Sequence, residues 1–585
     1  MLLGKINSPK DLKSLSLNEL KQLSNEAREV LLKKLSSVGG HIGPNLGMVE
    51  VTVAMHYVFD SPKDKIVYDV SHQSYVHKML TGRKEAFLNP DDYHCVTGYT
   101  NQKESEHDFF TVGHTSTSVS LACGLAKARD LKGDNENIIA VIGDGSLSGG
   151  EAYEGLNNAS EAGTNMIIVI NDNDMSIAEN YGGLYKNLEL LRNTKGKAEC
   201  NFFKSLGLDY VYVDDGHDIE KLIEAFESVK DIDHPVAVHI KTVKGKGFAP
   251  AEKDKEKWHY GMPFDLETGE SKFQFSGENY GDLTAEYLLE KMKEDKTLVA
   301  ITSGTPTVFG FNKERREKAG KQFVDVGIAE EHAVALASAV SSRGAKAVYG
   351  VYSTFIQRTY DQLSQDLCIN NNPALILVFG GGLTFLNDVT HLGYFDIPVV
   401  SNIPNMVYLA PTCKEEYMAM VEWGINQKEH PVAVRVPALN VVETGKKVEA
   451  DFSELNKYVV TEKGNNVAIV ALGDFYQLGE EVKFYLKEKT GIEATLINPR
   501  FITGVDKEVL KSLKENHKLV ITLENGAIDG GFGEKITRFY GNSSMKVLNF
   551  GAKKEFTDRL TADEVYKFNR LTKELITEDI INNLI

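Results

Sequence analysis

Two runs decide the fold: Ile138-Ile139-Ala140-Val141-Ile142-Gly143-Asp144-Gly145, and further on Met166-Ile167-Ile168-Val169-Ile170-Asn171-Asp172-Asn173. Residues 138–142 and 166–170 are short, wholly apolar and rich in β-branched side chains, as strands buried on both faces are. Residues 151–162 between them have helical spacing. Strand, helix and strand in that order form a β-α-β unit, so a parallel sheet and an α/β class are expected.

The alternation continues outward. Residues 17–35 have helical spacing, with Ser16 or Asn18 as cap. Residues 236–240 read as a further strand, and the polar stretch 261–281, with its glycines and proline, as a linker. A second α/β block over 283–439 has strand candidates at 298–302, 347–351 and 374–379. The charged stretch 441–454 reads as a second linker. A third block has strand candidates at 467–472, 494–497, 519–523 and 546–549. Three successive α/β domains with mainly parallel sheets are expected, over 1–265, 280–440 and 455–585.

Composition narrows the function. Apolar residues at 42% and charged ones at 25% describe a globular chain, and 585 residues suffice for several large cores. A formal charge of −18 leaves no basic excess to neutralise phosphates, which argues against a nucleic-acid partner. Cys95, Cys123, Cys200, Cys368 and Cys413 are scattered without a Cys-x-x-Cys pair, so neither a disulfide framework nor a zinc site is expected. No apolar run nears the ~18 residues of a membrane span. Lys5, Lys10, Asp11 and Lys13 interrupt the start, unlike a signal peptide. A cytoplasmic protein without a membrane partner is expected.

Asp144 follows the first strand between glycines, which let a ligand approach the backbone closely. Asn171-Asp172-Asn173 follows the second strand. Ligands of open α/β sheets bind beyond the carboxyl ends of strands, so neighbouring strand ends can share one ion. Mg²⁺ is hard, octahedral and usually shared between one or two protein oxygens and substrate phosphates. Asp144, Asn173 and the carbonyl of Met175 are the candidate ligands. A Gly-Asp-Gly alone is more often an ordinary turn; the Asn-Asp-Asn partner favours the site.

In Val326-Gly327-Ile328-Ala329-Glu330 a lone carboxylate precedes an apolar helix at 333–340. A helix start tolerates an acid, and alone Glu330 reads as that. Beside a phosphate half-site it reads as the activating carboxylate for thiamin diphosphate, whose pyrimidine nitrogen needs such a partner. Phe355 in Tyr352-Ser353-Thr354-Phe355 could stack on that ring, although a core position is the commoner fate of a phenylalanine. His41, His72, His114 and His391 stand in short segments, several of them glycine-rich turns, where imidazole can move protons or bind phosphate. None has the His-x₃-His spacing of a metal site, and no Walker P-loop occurs. Gly530-Gly531-Phe532-Gly533 reads as a strand-to-helix turn.

Long segments are specific enough to carry a resemblance. They are Gly-Gly-His-Ile-Gly-Pro-Asn-Leu-Gly (39–47), Asp-Val-Ser-His-Gln-Ser-Tyr-Val-His-Lys (69–78), Glu-Ser-Glu-His-Asp (104–108) and Gly-His-Thr-Ser-Thr-Ser (113–118). Val-Gly-Ile-Ala-Glu-Glu-His-Ala-Val (326–334) and Tyr-Ser-Thr-Phe-Ile-Gln-Arg-Thr-Tyr-Asp-Gln (352–362) continue it. Over nearly its whole length the chain resembles the 1-deoxy-D-xylulose-5-phosphate synthase family, thiamin diphosphate enzymes of the transketolase superfamily. The resemblance implies a transketolase-like fold, Mg²⁺, and a homodimer with its site between the first two domains of one chain. It implies decarboxylation of pyruvate and condensation with glyceraldehyde 3-phosphate, feeding isoprenoid, thiamin and pyridoxal biosynthesis. By the same resemblance His72, Gly113, Gly145, Ser146 and Lys244 bind the cofactor, with Glu330 and Phe355 at its ring. His41 and His114 face the reacting carbon, and His259 and His391 serve proton transfers or hold the acceptor. Tyr352, Arg358 and Arg435 are the substrate-binding candidates, a guanidinium being suited to phosphate or carboxylate.

Two departures bear on the acceptor. Gly380 and Asn387 stand where the family carries an arginine and an aspartate, with Asp388 one step away, and the stretch after Asn180 is shorter. An arginine lost from a phosphate site costs ~1.5–3 kcal/mol, roughly ten- to a hundredfold in affinity. A carboligase with a different acceptor aldehyde is therefore the alternative, and a non-catalytic relative is a third. The retained Asp144, Asn173 and Glu330 speak against that third reading.

Overall fold

The structure, a computed structural model, describes residues 1–584 except 162, 274–276 and 387. The end of the expected helix at Ala162, part of the expected linker 261–281, and Asn387 lie outside the described residues. The rest forms three sheets. The first comprises β1 (Lys65–Tyr68), β2 (Ile138–Gly143), β3 (Met166–Asp172), β4 (Asp209–Val213) and β5 (Pro235–Lys241). Its order is β1-β2-β3-β5-β4 and every pairing is parallel. All seven residues of β3 are buried, as its unbroken apolar run demands.

The second sheet is β6 (Leu298–Thr302), β7 (Phe323–Asp325), β8 (Lys346–Tyr352), β9 (Leu375–Gly381), β10 (Val407–Leu409) and β11 (Val432–Pro437). It is fully parallel, in the order β10-β11-β9-β8-β6-β7. The third comprises β12 (Val459–Glu462), β13 (Asn466–Ala471), β14 (Thr495–Asn498), β15 (His517–Ala527) and β16 (Lys546–Ala552). Its order is β12-β14-β13-β15-β16, and β12 alone is antiparallel, at the edge.

Two compact units contain these sheets. Met1–Ser276 with Gly327–Ala329 forms unit 1, around the first sheet; Gly277–Val326 and Glu330–Ile585 form unit 2, around the other two. Every strand expected from the sequence overlaps an observed one, with ends that differ by at most a few residues. The helix Leu17–Val38 starts at Ser16, whose Oγ accepts from Glu19 N while Glu19 Oε2 accepts from Ser16 N at 2.8 Å. It stops at Gly39, whose φ of 78° turns the chain into the His41 segment. Gly530-Gly531-Phe532-Gly533 is the turn between β15 and the helix Phe532–Tyr540, where Glu524 accepts from Phe532 N and Gly533 N at 2.8 Å. All five cysteines are free. Among the described residues no helix is long and apolar enough to cross a membrane.

Candidate active site

In unit 1, the neighbouring strands β1, β2, β3 and β5 bring the site candidates to one edge of the sheet. After β1 come Asp69 and His72; after β2, Asp144; after β3, Asn173; after β5, Lys244. The turn before His72 is strained: Val70 and Ser71 have φ of 56° and 66°, a region β-branched residues avoid. Ser71 holds it, its Oγ donating to Val112 O at 2.7 Å and accepting from Thr100 N at 2.8 Å. Asp69 accepts from Ser116 N at 2.8 Å and Ser118 N at 2.9 Å. That ties the loop carrying Gly113 and His114 to the end of β1.

Asp144 is 1% exposed, and its Oδ2 accepts from Met175 N at 2.9 Å and Asn180 Nδ2 at 2.7 Å. Burial and the nearby Asp172 push its carboxyl above the usual carboxylate range. Asp172 is engaged elsewhere, by Arg192 Nη1 at 2.8 Å to both oxygens and by His239 Nε2 at 2.8 Å. The buried Asn173 Oδ1 and Asn180 Oδ1 make no hydrogen bond. A carboxylate beside unsatisfied amide oxygens is the donor set a hard cation takes. No group of three or more His, Cys, Asp or Glu able to hold a metal occurs among the described residues. Lys244, 2% exposed, donates to Ser176 O at 2.5 Å, and burial lowers its ammonium to about 7. Gly145 and Ser146 lie in the turn Gly145–Ser148; a Cβ on Gly145 would stand 2.7 Å from Ser176 Oγ.

Three of the expected histidines converge. The ring centroid of His41 lies 4.9 Å from that of His72 and 5.7 Å from that of His259, and His72 lies 5.3 Å from His259. Tyr260 and Tyr99 flank His41 at 5.0 and 5.7 Å. Burial, with Lys244 beside it, lowers His72 to about 3 and His259 well below its ordinary value. Both are therefore neutral at physiological pH, and their buried Nδ1 atoms make no hydrogen bond. His114 is half-buried in the loop before the helix Ser118–Lys132.

In unit 2, Glu330 is the first residue of the helix Glu330–Ser342 and is 3% exposed. Its Oε2 makes no hydrogen bond; Arg358 Nη1 lies 3.6 Å away. Burial raises the carboxyl to about 7 against the opposing charge of Arg358. Phe355 lies 5.6 Å from Tyr352 and 5.9 Å from His391 between ring centroids. Arg435 is engaged by Asp396, with Nε–Oδ2 at 2.7 Å and Nη2–Oδ1 at 3.0 Å, and Nη2 also donates to Asn525 O at 2.8 Å. Its bidentate edge is thus already used. Unit 2 therefore groups Glu330 with Arg358, and Tyr352 with Phe355 and His391.

Asn180, Tyr99, Tyr260 and Thr390 stand at these clusters and were not expected there. Asn180 follows the Asn-Asp-Asn motif by seven residues, but no spacing rule marks it.

The chain matches three family models: 1-deoxy-D-xylulose-5-phosphate synthase over 3–201 and 192–242, transketolase pyrimidine-binding domain over 278–443, and transketolase C-terminal domain over 456–576. It is 37% identical to the 1-deoxy-D-xylulose-5-phosphate synthase of Clostridium beijerinckii, covering 99% of both chains. It is 38% identical to that of Shouchella clausii, over 100% of this chain and 99% of the other. Among solved structures, a transketolase mutant from Pichia stipitis covers 97% of this chain and 98% of its own at 15% identity, with a TM-score of 0.44, too low to bear on the fold.

Proposed function

This chain belongs to the 1-deoxy-D-xylulose-5-phosphate synthase family, and we propose that it decarboxylates pyruvate and joins the two-carbon remainder to glyceraldehyde 3-phosphate. The family implies thiamin diphosphate, which when bound supplies a carbon nucleophile and holds the electrons released by decarboxylation. The observation that carries the reading is Glu330: a carboxyl 3% exposed, raised to about 7, with one oxygen making no hydrogen bond. Such a group suits a ring nitrogen as partner. In the proposal Glu330 shares its proton with the pyrimidine, and Phe355 lies against that ring. Asp144, Asn173 and the Met175 carbonyl hold Mg²⁺, with His72, Gly113, His114, Gly145, Ser146 and Lys244 toward the diphosphate. Lys244 gains its proton firmly when an anion arrives. His41 and His114 face the reacting carbon, and His259 and His391 move protons at the acceptor or hold it. Tyr352, Arg358 and Arg435 remain the substrate-binding candidates, Arg435 only through the part that Asp396 leaves over. Of the three expected domains, 1–265 and 280–440 divide these tasks, and 455–585 carries none of the named residues.

One observation favours a second reading, with a different acceptor aldehyde. Gly380, the last but one residue of β9, has φ of 69°, and a Cβ there would lie 2.7 Å from Phe385 Cδ1 and 3.3 Å from Tyr352 Cδ1. Aromatic carbon fills the place where a longer side chain would begin. Initial rates with pyruvate and either glyceraldehyde 3-phosphate or unphosphorylated glyceraldehyde separate the two. The first reading expects kcat/KM at least tenfold higher for the phosphorylated aldehyde; equal or inverted values favour the second.

A further inference from the structure

His391 is one end of a three-residue relay. Its Nδ1 lies 2.8 Å from Thr390 Oγ1, and the same Oγ1 lies 2.6 Å from Asp388 Oδ1. Thr390 N also donates to Asp388 Oδ1, at 2.9 Å. A backbone N–H can only donate, which marks Oδ1 as the accepting oxygen, whether the carboxyl is ionised or carries a proton on Oδ2. Two accepting oxygens cannot sit 2.6 Å apart without a proton between them. The Thr390 hydroxyl proton therefore lies on the Asp388 side. Its oxygen then has only lone pairs to offer His391, so Nδ1 must carry the hydrogen. The segment is pinned: His391 N donates to Asp388 O at 2.9 Å and Val389 N to Asp558 Oδ1 at 3.3 Å.

We infer that Thr390, backed by Asp388, is a positioning residue that holds His391 as its Nδ1–H tautomer and so puts the lone pair on Nε2. The assignment rests on the proton-transfer role proposed above for His391. In that role Nε2 takes one proton from a substrate hydroxyl and becomes imidazolium, while Nδ1–H stays on Thr390 Oγ1. The same proton returns from Nε2 to a substrate oxygen, so the cycle closes without another reagent. When ionised, Asp388 favours the charged form through the intervening hydroxyl. Without the relay the acceptor that selects Nδ1–H is lost, and the other tautomer, which offers Nε2–H, cannot accept.

Two measurements on the full chain test this. Nitrogen-15 NMR of histidine-labelled, cofactor-free protein, with the His391 signal assigned by its loss in His391→Gln, reads the tautomer directly. The wild type should show protonated Nδ1, and Thr390→Val should move population to protonated Nε2. A wild type protonated at Nε2 would overturn the relay whatever the protein's activity. In steady-state assays with thiamin diphosphate, Mg²⁺, pyruvate and glyceraldehyde 3-phosphate, Thr390→Val should lower kcat about ten- to a hundredfold. Both KM values should stay within about threefold, and Thr390→Ser, which keeps the hydroxyl, should restore kcat to within about threefold. Thr390→Ser falling as far as Thr390→Val would mean that the methyl group matters and the hydroxyl does not, and the relay would fail. His391→Gln with undiminished kcat would instead remove the role of His391, and the relay's purpose with it.

Discussion

At Glu330, burial and chemistry pull in opposite directions. The carboxyl is raised from 4.5 to about 7, so between those values the folded protein holds a proton that the unfolded chain has released. Stability conferred by this site therefore falls as pH rises from ~4.5 to ~7 and stays low above that. Glu330→Gln removes the charge with little change of shape. In cofactor-free protein it should stabilise by up to about 3 kcal/mol at pH 8 and by almost nothing at pH 4.5, read from denaturant midpoints. The same substitution should lower turnover at least a hundredfold, because an amide cannot exchange a proton with the ring nitrogen. A pH-independent stability change would refute the electrostatic account of the site. Glu330, Asp144 and the histidines were legible in the sequence because each stands in a short motif at the end of an apolar run. Thr390 and Asn180 were not, because a hydroxyl and an amide acquire meaning only from the atoms that folding brings within 3 Å of them.

The elements that position these residues are strand ends, and most strands with a continuous apolar run were legible, although the short buried β1 was not. β2, β3, β6, β8, β9, β13 and β15 have continuous apolar centres, which made them readable. β7 and β10 have three residues each, too few to show a period. β4 and β12 keep half-exposed or exposed positions and mix polar side chains into the run. β11 is apolar but for Arg435, whose charge is buried against Asp396, a pairing no local pattern reveals. At the end of β9, Gly380 is required on two counts, its left-handed φ and the contact with Phe385. Gly380→Ala should cost about 2 kcal/mol or more, from backbone strain and overpacking together. In a Phe385→Ala background the cost of Gly380→Ala should drop to about 1 kcal/mol, the backbone share alone. Urea midpoints of the four proteins form the cycle that checks it; equal costs in both backgrounds would show that Phe385 does not crowd Gly380.

For the molecule as a whole, the long motif matches made the family legible, and the alternation of strands and helices made the α/β class legible. The division into two compact units was not, because cores shared between neighbouring sheets have no signature along the chain. Cofactor binding to the folded protein alone should stabilise it by mass action, by about 3–4 kcal/mol at a hundred to a thousand times Kd. Thermal unfolding with thiamin diphosphate should show that gain with Mg²⁺ present and lose most of it with a chelator; a gain indifferent to Mg²⁺ would remove the ion from the proposal. The homodimer implied by the family should appear in light scattering as twice the 64.8 kDa of the chain. The most direct test of the central claim follows the carbon. Purified protein is given pyruvate labelled with carbon-13 at C2, glyceraldehyde 3-phosphate, thiamin diphosphate and Mg²⁺, and followed by NMR. The account predicts that the label becomes the ketone carbon of 1-deoxy-D-xylulose 5-phosphate, with one carbon dioxide released per product, and that Glu330→Gln forms none. Label that stays in pyruvate, or that leaves it only as acetaldehyde or acetate while the aldehyde phosphate is untouched, would contradict it.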